Sequence, residues 1–105
     1  MTLSVIGSGA FGTALAIAIA KGGKPVTLWT RSHASAETMQ DARENKDRLA
    51  NHSFPDAVTV TANIEEATSN EVLLIAVPMQ QLRSVCDRFA KEFHNKTLGA
   101  CCKGI

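Results

Sequence analysis

Three glycines carry the pattern in this chain that could do chemistry. In VIGSGAFGTALAIAIA (Val5–Ala20) they stand as G-x-G-x-x-G at Gly7, Gly9 and Gly12. The segment before them reads as a short buried strand and the segment after them as a helix, the setting in which the pattern is a dinucleotide fingerprint. Gly7 permits a tight turn, and Gly9 removes the Cβ that would keep a pyrophosphate off the backbone. Gly12 lets the helix approach the strand. The helix N-terminus then offers unpaired N–H groups and partial positive charge to phosphates. Glycine turns also occur with no ligand, and flavin and methyl-donor sites use them, so the pattern alone leaves those readings open. Phe11 is large for an exposed turn. It could cover the phosphates or a nicotinamide, or it could contact neighbouring loops.

A second position decides which dinucleotide. Sites for NAD usually place Asp or Glu about 20 residues beyond the turn, on the ribose hydroxyls. Here the corresponding stretch is LWTRSH (Leu28–His33), and no acid occurs between Gly7 and Glu37. Arg31 stands there instead. A guanidinium can pair bidentately with a 2′-phosphate or stack on adenine, which favours NADP or at least tolerates it. Ser32 could add a hydrogen bond to that phosphate. The alternative for Arg31 is a solvated loop arginine. His33, His52 and His94 lie in separate segments without metal-ligand spacing and read as surface histidines. Trp29 reads as a packing residue, and Cys101 and Cys102 as inert core thiols.

The elements that must position these residues follow from periodicity. A strand is expected over Thr2–Gly7, a helix over Ala10–Lys21 closed by KGG, and a strand over Pro25–Thr30. Ala14, Ala16, Ala18 and Ala20 keep the first helix narrow for seating on a sheet. The polar middle predicts a helix from about Ala34 to Asn45, then a mobile surface excursion through NHSFPD rather than core. Val58–Ala62 alternates like a strand. Asn63 and Glu66 have capping-box spacing for a short helix. Glu71–Val77 is apolar on both faces, as a central parallel strand is. Beyond Pro78, Leu82, Val85, Cys86, Phe89 and Phe93 follow helical spacing, and Thr97–Cys102 closes with a fifth strand. Strictly alternating strands and helices predict an α/β chain with a Rossmann-type doubly wound parallel sheet.

Totals narrow the function classes. At 105 residues the chain is one domain at most. Its net charge of +1, with 11 basic residues scattered among 10 acidic ones, argues against nucleic acid as the main partner. The apolar run Val72–Met79 is far too short to span a bilayer. Three cysteines, two of them adjacent, fit neither a disulfide framework nor a metal motif and point to a reducing compartment. The apolar run at Leu15–Ala20 lacks a basic stretch before it, so a signal peptide is not expected. The expected location is cytoplasmic.

Five stretches in order carry a family resemblance: V-I-G-S-G-A-F-G-T-A-L-A at Val5–Ala16, L-W-T-R at Leu28–Arg31, R-E-N at Arg43–Asn45, A-V-P at Ala76–Pro78 and C-K-G-I at Cys102–Ile105. Together they resemble the amino-terminal part of bacterial NAD(P)-dependent glycerol-3-phosphate dehydrogenases. That family has Ser or Ala followed by an aromatic residue in the glycine turn, which Ala10 and Phe11 match. The resemblance implies NADP or NAD as cofactor, held by Gly7, Gly9, Ala10, Phe11, Gly12, Arg31 and Lys103. It also implies that Lys103 reaches the phosphorylated substrate. An ammonium outside the carboxyl ends of the strands can hydrogen-bond a developing alkoxide, although a solvated terminal lysine is the other reading.

The reaction so implied is hydride transfer between sn-glycerol 3-phosphate and dihydroxyacetone phosphate, a step in glycerophospholipid precursor synthesis. Family members continue into a helical substrate domain that holds the general-base lysine. Residues 1–105 are therefore expected to form a nucleotide-binding portion truncated before that domain. No catalytic base is expected within them, negligible turnover alone, and a homodimer is allowed for the full-length protein. Two other readings stand: the nucleotide domain of another hydroxy-acid dehydrogenase, and a non-catalytic nucleotide-binding or redox-sensing module.

Overall fold

The computed structural model describes residues 3–46, 49–77, 79–94 and 96–100, with backbone alone for 50, 51, 79 and 97–100. In chain order the elements are β1 (Leu3–Ile6), α1 (Ala10–Lys21), β2 (Val26–Trp29), α2 (His33–Ala42), β3 (Glu44–Asn45), β4 (Leu49–Ser53), β5 (Val58–Thr61), α3 (Ile64–Ala67), β6 (Val72–Ile75), α4 (Met79–Arg88), α5 (Ala90–Phe93) and β7 (Thr97–Ala100). Pro78, Cys101 and Cys102 lie outside the described residues.

Five strands form one parallel sheet in the order β5-β2-β1-β6-β7. The chain winds outward from β1 in both directions, first to β2 and β5, then to β6 and β7. The expected doubly wound sheet is thus present. Ile6 pairs in register with Trp29 on one side and Ile75 on the other. Such a sheet places its ligand crevice where the winding reverses, outside the carboxyl end of β1.

Helices cover both faces, so the inner strands are buried on both sides. Val5 and Leu28 belong to one core cluster with Ala16, Ile17, Met39 and Phe54. The next residues along, Ile6 and Trp29, belong to the other, with Leu73, Ile75, Phe89 and Phe93. Alternation of side chains along a strand requires that split. Each fully buried Val, Leu or Ile contributes roughly 1.5–3 kcal/mol relative to exposure. In α1 the buried residues include Gly12, Ala16 and Ala20, whereas Ala14 and Ala18 face solvent. Only half of the alanine series therefore seats the helix. The helix ends where Gly23, at φ 91°, donates its N–H to the Ala20 carbonyl.

Polar groups close the floor and one edge of the sheet. Asn70 Nδ2 donates to the Leu3 carbonyl, to Ser4 Oγ and to Thr27 Oγ1, while Ser4 Oγ donates to the Ala67 carbonyl. On the edge strand β5, the Val60 N–H donates to Gln40 Oε1 of α2 at 2.9 Å. An otherwise unpaired ladder donor is thereby satisfied.

The middle of the chain departs from expectation. The second helix stops at Ala42, because Arg43 turns left-handed at φ 55°. Then β3 and β4 pair as an antiparallel ribbon, and Asn45 and Phe54 are both buried. Phe54 thus reaches the core, while His52, Ser53 and Asp56 stay on the surface as expected. The segment's anchor is Arg43, whose guanidinium donates to the Pro55 and Val58 carbonyls at 2.8 Å each and lies over the Phe54 ring. Polar side chains binding backbone carbonyls leave no hydropathy pattern, which is why periodicity missed them.

Two smaller differences have similar causes. The helix after β6 breaks at Phe89 into α4 and α5, as Phe89 turns inward to meet Trp29 edge-on at 5.3 Å. Asn63 caps α3 by accepting the Glu65 N–H, one residue short of the capping-box position, and Glu66 accepts the Thr61 hydroxyl instead of the Asn63 N–H. Thr61 Oγ1 takes that N–H itself.

Candidate functional site

At the end of β1 the backbone turns between its two neighbouring strands. The Gly7 N–H donates to the Trp29 carbonyl at 3.0 Å, and the Ala76 N–H donates to the Ile6 carbonyl at 2.8 Å. Gly7 has φ 121°, and a Cβ there would stand 2.6 Å from the Ala76 carbonyl oxygen. A Cβ on Gly12 would overlap the Gly7 carbonyl. These two glycines answer to the fold. Gly9 does not. Its φ of −68° suits any residue, and among the described residues no atom beyond its chain neighbours lies within 4 Å of where its Cβ would point.

The helix N-terminus presents free donors beside that open space. The first helical bond runs from the Thr13 N–H to the Gly9 carbonyl at 2.9 Å. Among the described residues, the N–H groups of Gly9, Ala10, Phe11 and Gly12 have no protein partner. No acidic side chain occupies the first turn. Four donors with a partial positive charge behind them can accept an anion.

From the turn a cleft of about 1010 Å³ extends past the end of β2, between α2 and α4. Its size suits an extended organic ligand. The described charged residues along it are Arg31, Lys46 and Arg88 against Glu44, so the balance favours an anion. Thr30, buried at the end of β2, accepts a hydrogen bond from Ser8 Oγ at 2.9 Å and joins that strand to the glycine turn. Arg31 follows it, exposed on the cleft wall, with no hydrogen bond or ion pair among the described residues. Ser32 caps α2 by accepting the Ser35 N–H, which leaves its own proton free to donate.

The residues named from sequence are therefore brought together unevenly. Gly7, Gly9 and Arg31 line one cleft, and Gly12 packs directly beneath its turn. Ala10 and Phe11 are exposed on the first turn of α1, with Phe11 at 42% of its surface open to solvent. They are not among the cleft's described walls. Lys103 lies outside the described residues.

Sequence reasoning missed two contributors. Arg88, in the last turn of α4, lines the cleft while lying over the Phe89 ring at 5.1 Å, and nothing in its spacing marked it. Asn45, 4% exposed, donates from Nδ2 to the Ser8 carbonyl and to Thr13 Oγ1, both at 2.9 Å. The R-E-N stretch was visible in sequence, but its contact with the turn was not.

Known proteins place this geometry. Curated glycerol-3-phosphate dehydrogenases (NAD(P)+) from Ruegeria sp. and Roseobacter denitrificans are 46% and 45% identical over 105 residues. All of this chain is matched in both, and it spans 32% of their length. A crystal structure of glycerol-3-phosphate dehydrogenase from Coxiella burnetii superposes with a TM-score of 0.85 at 28% identity, over 98% of this chain and 34% of that one. The yeast enzyme structure, at 20% identity and a TM-score of 0.84, shows the same fold over 99% of this chain and 34% of its own. A family model described as NAD-dependent glycerol-3-phosphate dehydrogenase N-terminus matches residues 2–105, and the chain belongs to that family.

Proposed function

We propose that residues 1–105 form the NAD(P)-binding part of a glycerol-3-phosphate dehydrogenase. The whole protein would interconvert sn-glycerol 3-phosphate and dihydroxyacetone phosphate, supplying a precursor of glycerophospholipids. One observation carries the cofactor reading. Gly7 and Gly12 are required by contacts within the protein, whereas among the described residues Gly9 faces open space beside four amides without a protein partner. A dinucleotide pyrophosphate fits that arrangement, because it needs donors and close backbone approach together.

The chain's own groups divide the work by position. The amides of Gly9, Ala10, Phe11 and Gly12 would hold the pyrophosphate, aided by the dipole of α1. Arg31 would take the adenosine end, with its guanidinium on a 2′-phosphate or on the adenine face. Phe11 would shield the turn from water. Lys103 would donate to an oxygen of cofactor or substrate, where its charge stabilises a developing alkoxide. The bound nicotinamide supplies the hydride acceptor or donor at its C4. In this reading the protein is cytoplasmic, does not bind nucleic acid, and is a homodimer at full length. No helix among the described residues is long and apolar enough to cross a membrane.

Titration with NADPH and NADH tests the reading, with Trp29, the single tryptophan, on the cleft wall as fluorescent reporter. Saturable one-to-one quenching is expected from at least one of them. No saturation at millimolar concentration of either would refute the cofactor assignment. The chain alone should turn over substrate negligibly, and substantial dehydrogenase activity from it would contradict the expected division of labour.

A further inference from the structure

We infer that Asn45 is a positioning residue for the pyrophosphate-binding amides, acting by fixing the plane of the Ser8–Gly9 peptide. The inference deepens the cofactor reading above and rests on it.

The turn has a local weakness. Gly9 is the N-cap of α1, has no side chain, and so makes no side-chain cap bond. A peptide joined to glycine turns over more easily than most, because glycine accepts many φ values. Of the described groups nearby in sequence, only the Thr13 hydroxyl reaches the Ser8 carbonyl, at a long 3.3 Å, to decide which way the Ser8–Gly9 unit faces. Its orientation matters, since only one of the two arrangements sends the Gly9 N–H toward the open side.

The ribbon between α2 and β5 supplies the missing constraint. Asn45 comes from β3, 37 residues beyond Ser8, and its amide is buried against the turn. One Nδ2 hydrogen goes to the Ser8 carbonyl and the other to Thr13 Oγ1, each at 2.9 Å. Thr13, fully buried, donates its hydroxyl in turn to the Ser8 carbonyl at 3.3 Å. The three groups close a ring in which every donor is used, and the Ser8 carbonyl is held from the protein side by two of them.

Peptide geometry carries the consequence outward. The backbone has no cis bond among the described residues. In a trans peptide the C=O and N–H vectors oppose each other. With its carbonyl held toward Asn45 and Thr13, the unit must send the Gly9 N–H the other way, where no group among the described residues accepts it. Asn45 never needs to touch the ligand. It aims a backbone donor.

The test compares ligands that do and do not carry a pyrophosphate. Wild-type chain, Asn45→Asp and Asn45→Ala would be titrated with NADPH, ADP-ribose and 2′-AMP, following Trp29 fluorescence and the Gly9 amide resonance. Asn45→Asp keeps the volume but sets a carboxylate against the Ser8 carbonyl. Loss of the Asn45 bond leaves the Ser8 carbonyl held only by the longer Thr13 bond, and the mis-aimed Gly9 donor should weaken NADPH and ADP-ribose about 10-fold. Affinity for 2′-AMP should stay within about twofold, and the free-state Gly9 resonance should move. Thr13→Val removes the shared hydroxyl and should give the same pattern at smaller amplitude, which keeps the test alive should the Asn45 variants not fold.

Unchanged NADPH affinity in folded variants would overturn the inference. Equal losses for all three ligands would also overturn it, since a general loosening would hit 2′-AMP as hard. Wild-type chain that binds neither NADPH nor NADH would remove the cofactor reading and this inference with it, and that failure shows before any variant is made.

Discussion

The glycine turn and the Arg43–Phe54 ribbon meet at Asn45, yet they are specified in opposite ways. The turn is written in backbone permission: three residues without side chains, two of them forced by carbonyl oxygens that a Cβ would strike. The ribbon is written in side-chain hydrogen bonds to backbone, with Arg43 on Pro55 and Val58 and Asn45 on Ser8. The first kind of information is local and short in sequence. The second joins residues far apart and shows only when the chain has folded.

Substitutions can break this contrast. The largest effect is expected at Gly7→Ala, where a strained φ of 121° combines with a 2.6 Å clash against Ala76. The cost should be about 3 kcal/mol or more. That corresponds to a fall in Tm of roughly 12 °C or more at about 4–8 °C per kcal/mol, readable by circular dichroism. A Tm within about 2 °C of wild type would mean that the turn is not shaped as described.

Arg43→Ala comes next. It takes the Arg43 donor from the Val58 carbonyl, leaves the Pro55 carbonyl with the Val58 N–H, and keeps the left-handed φ on a residue with a Cβ, for about 2 kcal/mol. Hydrogen exchange should accelerate through β3 and β4 before it does in β1. Arg43→Gly relieves the backbone and should recover roughly 0.5–1 kcal/mol of that loss. Equal stability of the two variants would show that φ contributes nothing here.

The most discriminating change is smaller. Gly9→Ala puts a methyl group into space that no atom of the described residues occupies, at an ordinary φ. Stability should change by less than about 0.5 kcal/mol. NADPH affinity should nonetheless fall about 10-fold or more, because the methyl group occupies the approach to the amides. A destabilised protein with intact binding would reverse the roles assigned to the three glycines. Arg31→Ala should leave stability unchanged and weaken NADPH by about 10-fold, while NADH changes little. Equal losses would indicate adenine stacking in place of phosphate pairing.

These comparisons also explain what the sequence could disclose. The bounds of α1, Ala10–Lys21, came directly from a glycine on each side and an apolar run between. The inner strands β1, β2 and β6 were legible because burial on both faces enriches them in apolar residues, and β5 because Val58 and Val60 alternate with threonine. Phe54 was lost within a polar stretch, since one aromatic has no period. The break at Phe89 was hidden because Phe89 and Phe93 still obey helical spacing on either side of it. In the site, the glycines and Arg31 could be named by residue type, while Asn45 and Arg88 needed the third dimension. Asparagine in a turn-rich segment is ordinary, and only its burial against the turn sets Asn45 apart.

Asn70 gathers the starts of β1 and β2 at the floor of the sheet, at the far end of the strands from the cleft. Heat should therefore open the molecule from the rim downward, with the crevice losing its shape while the lower ends of the strands remain paired. A nucleotide seated at the rim would act on the end that yields first, so even modest occupancy would raise the temperature at which opening begins.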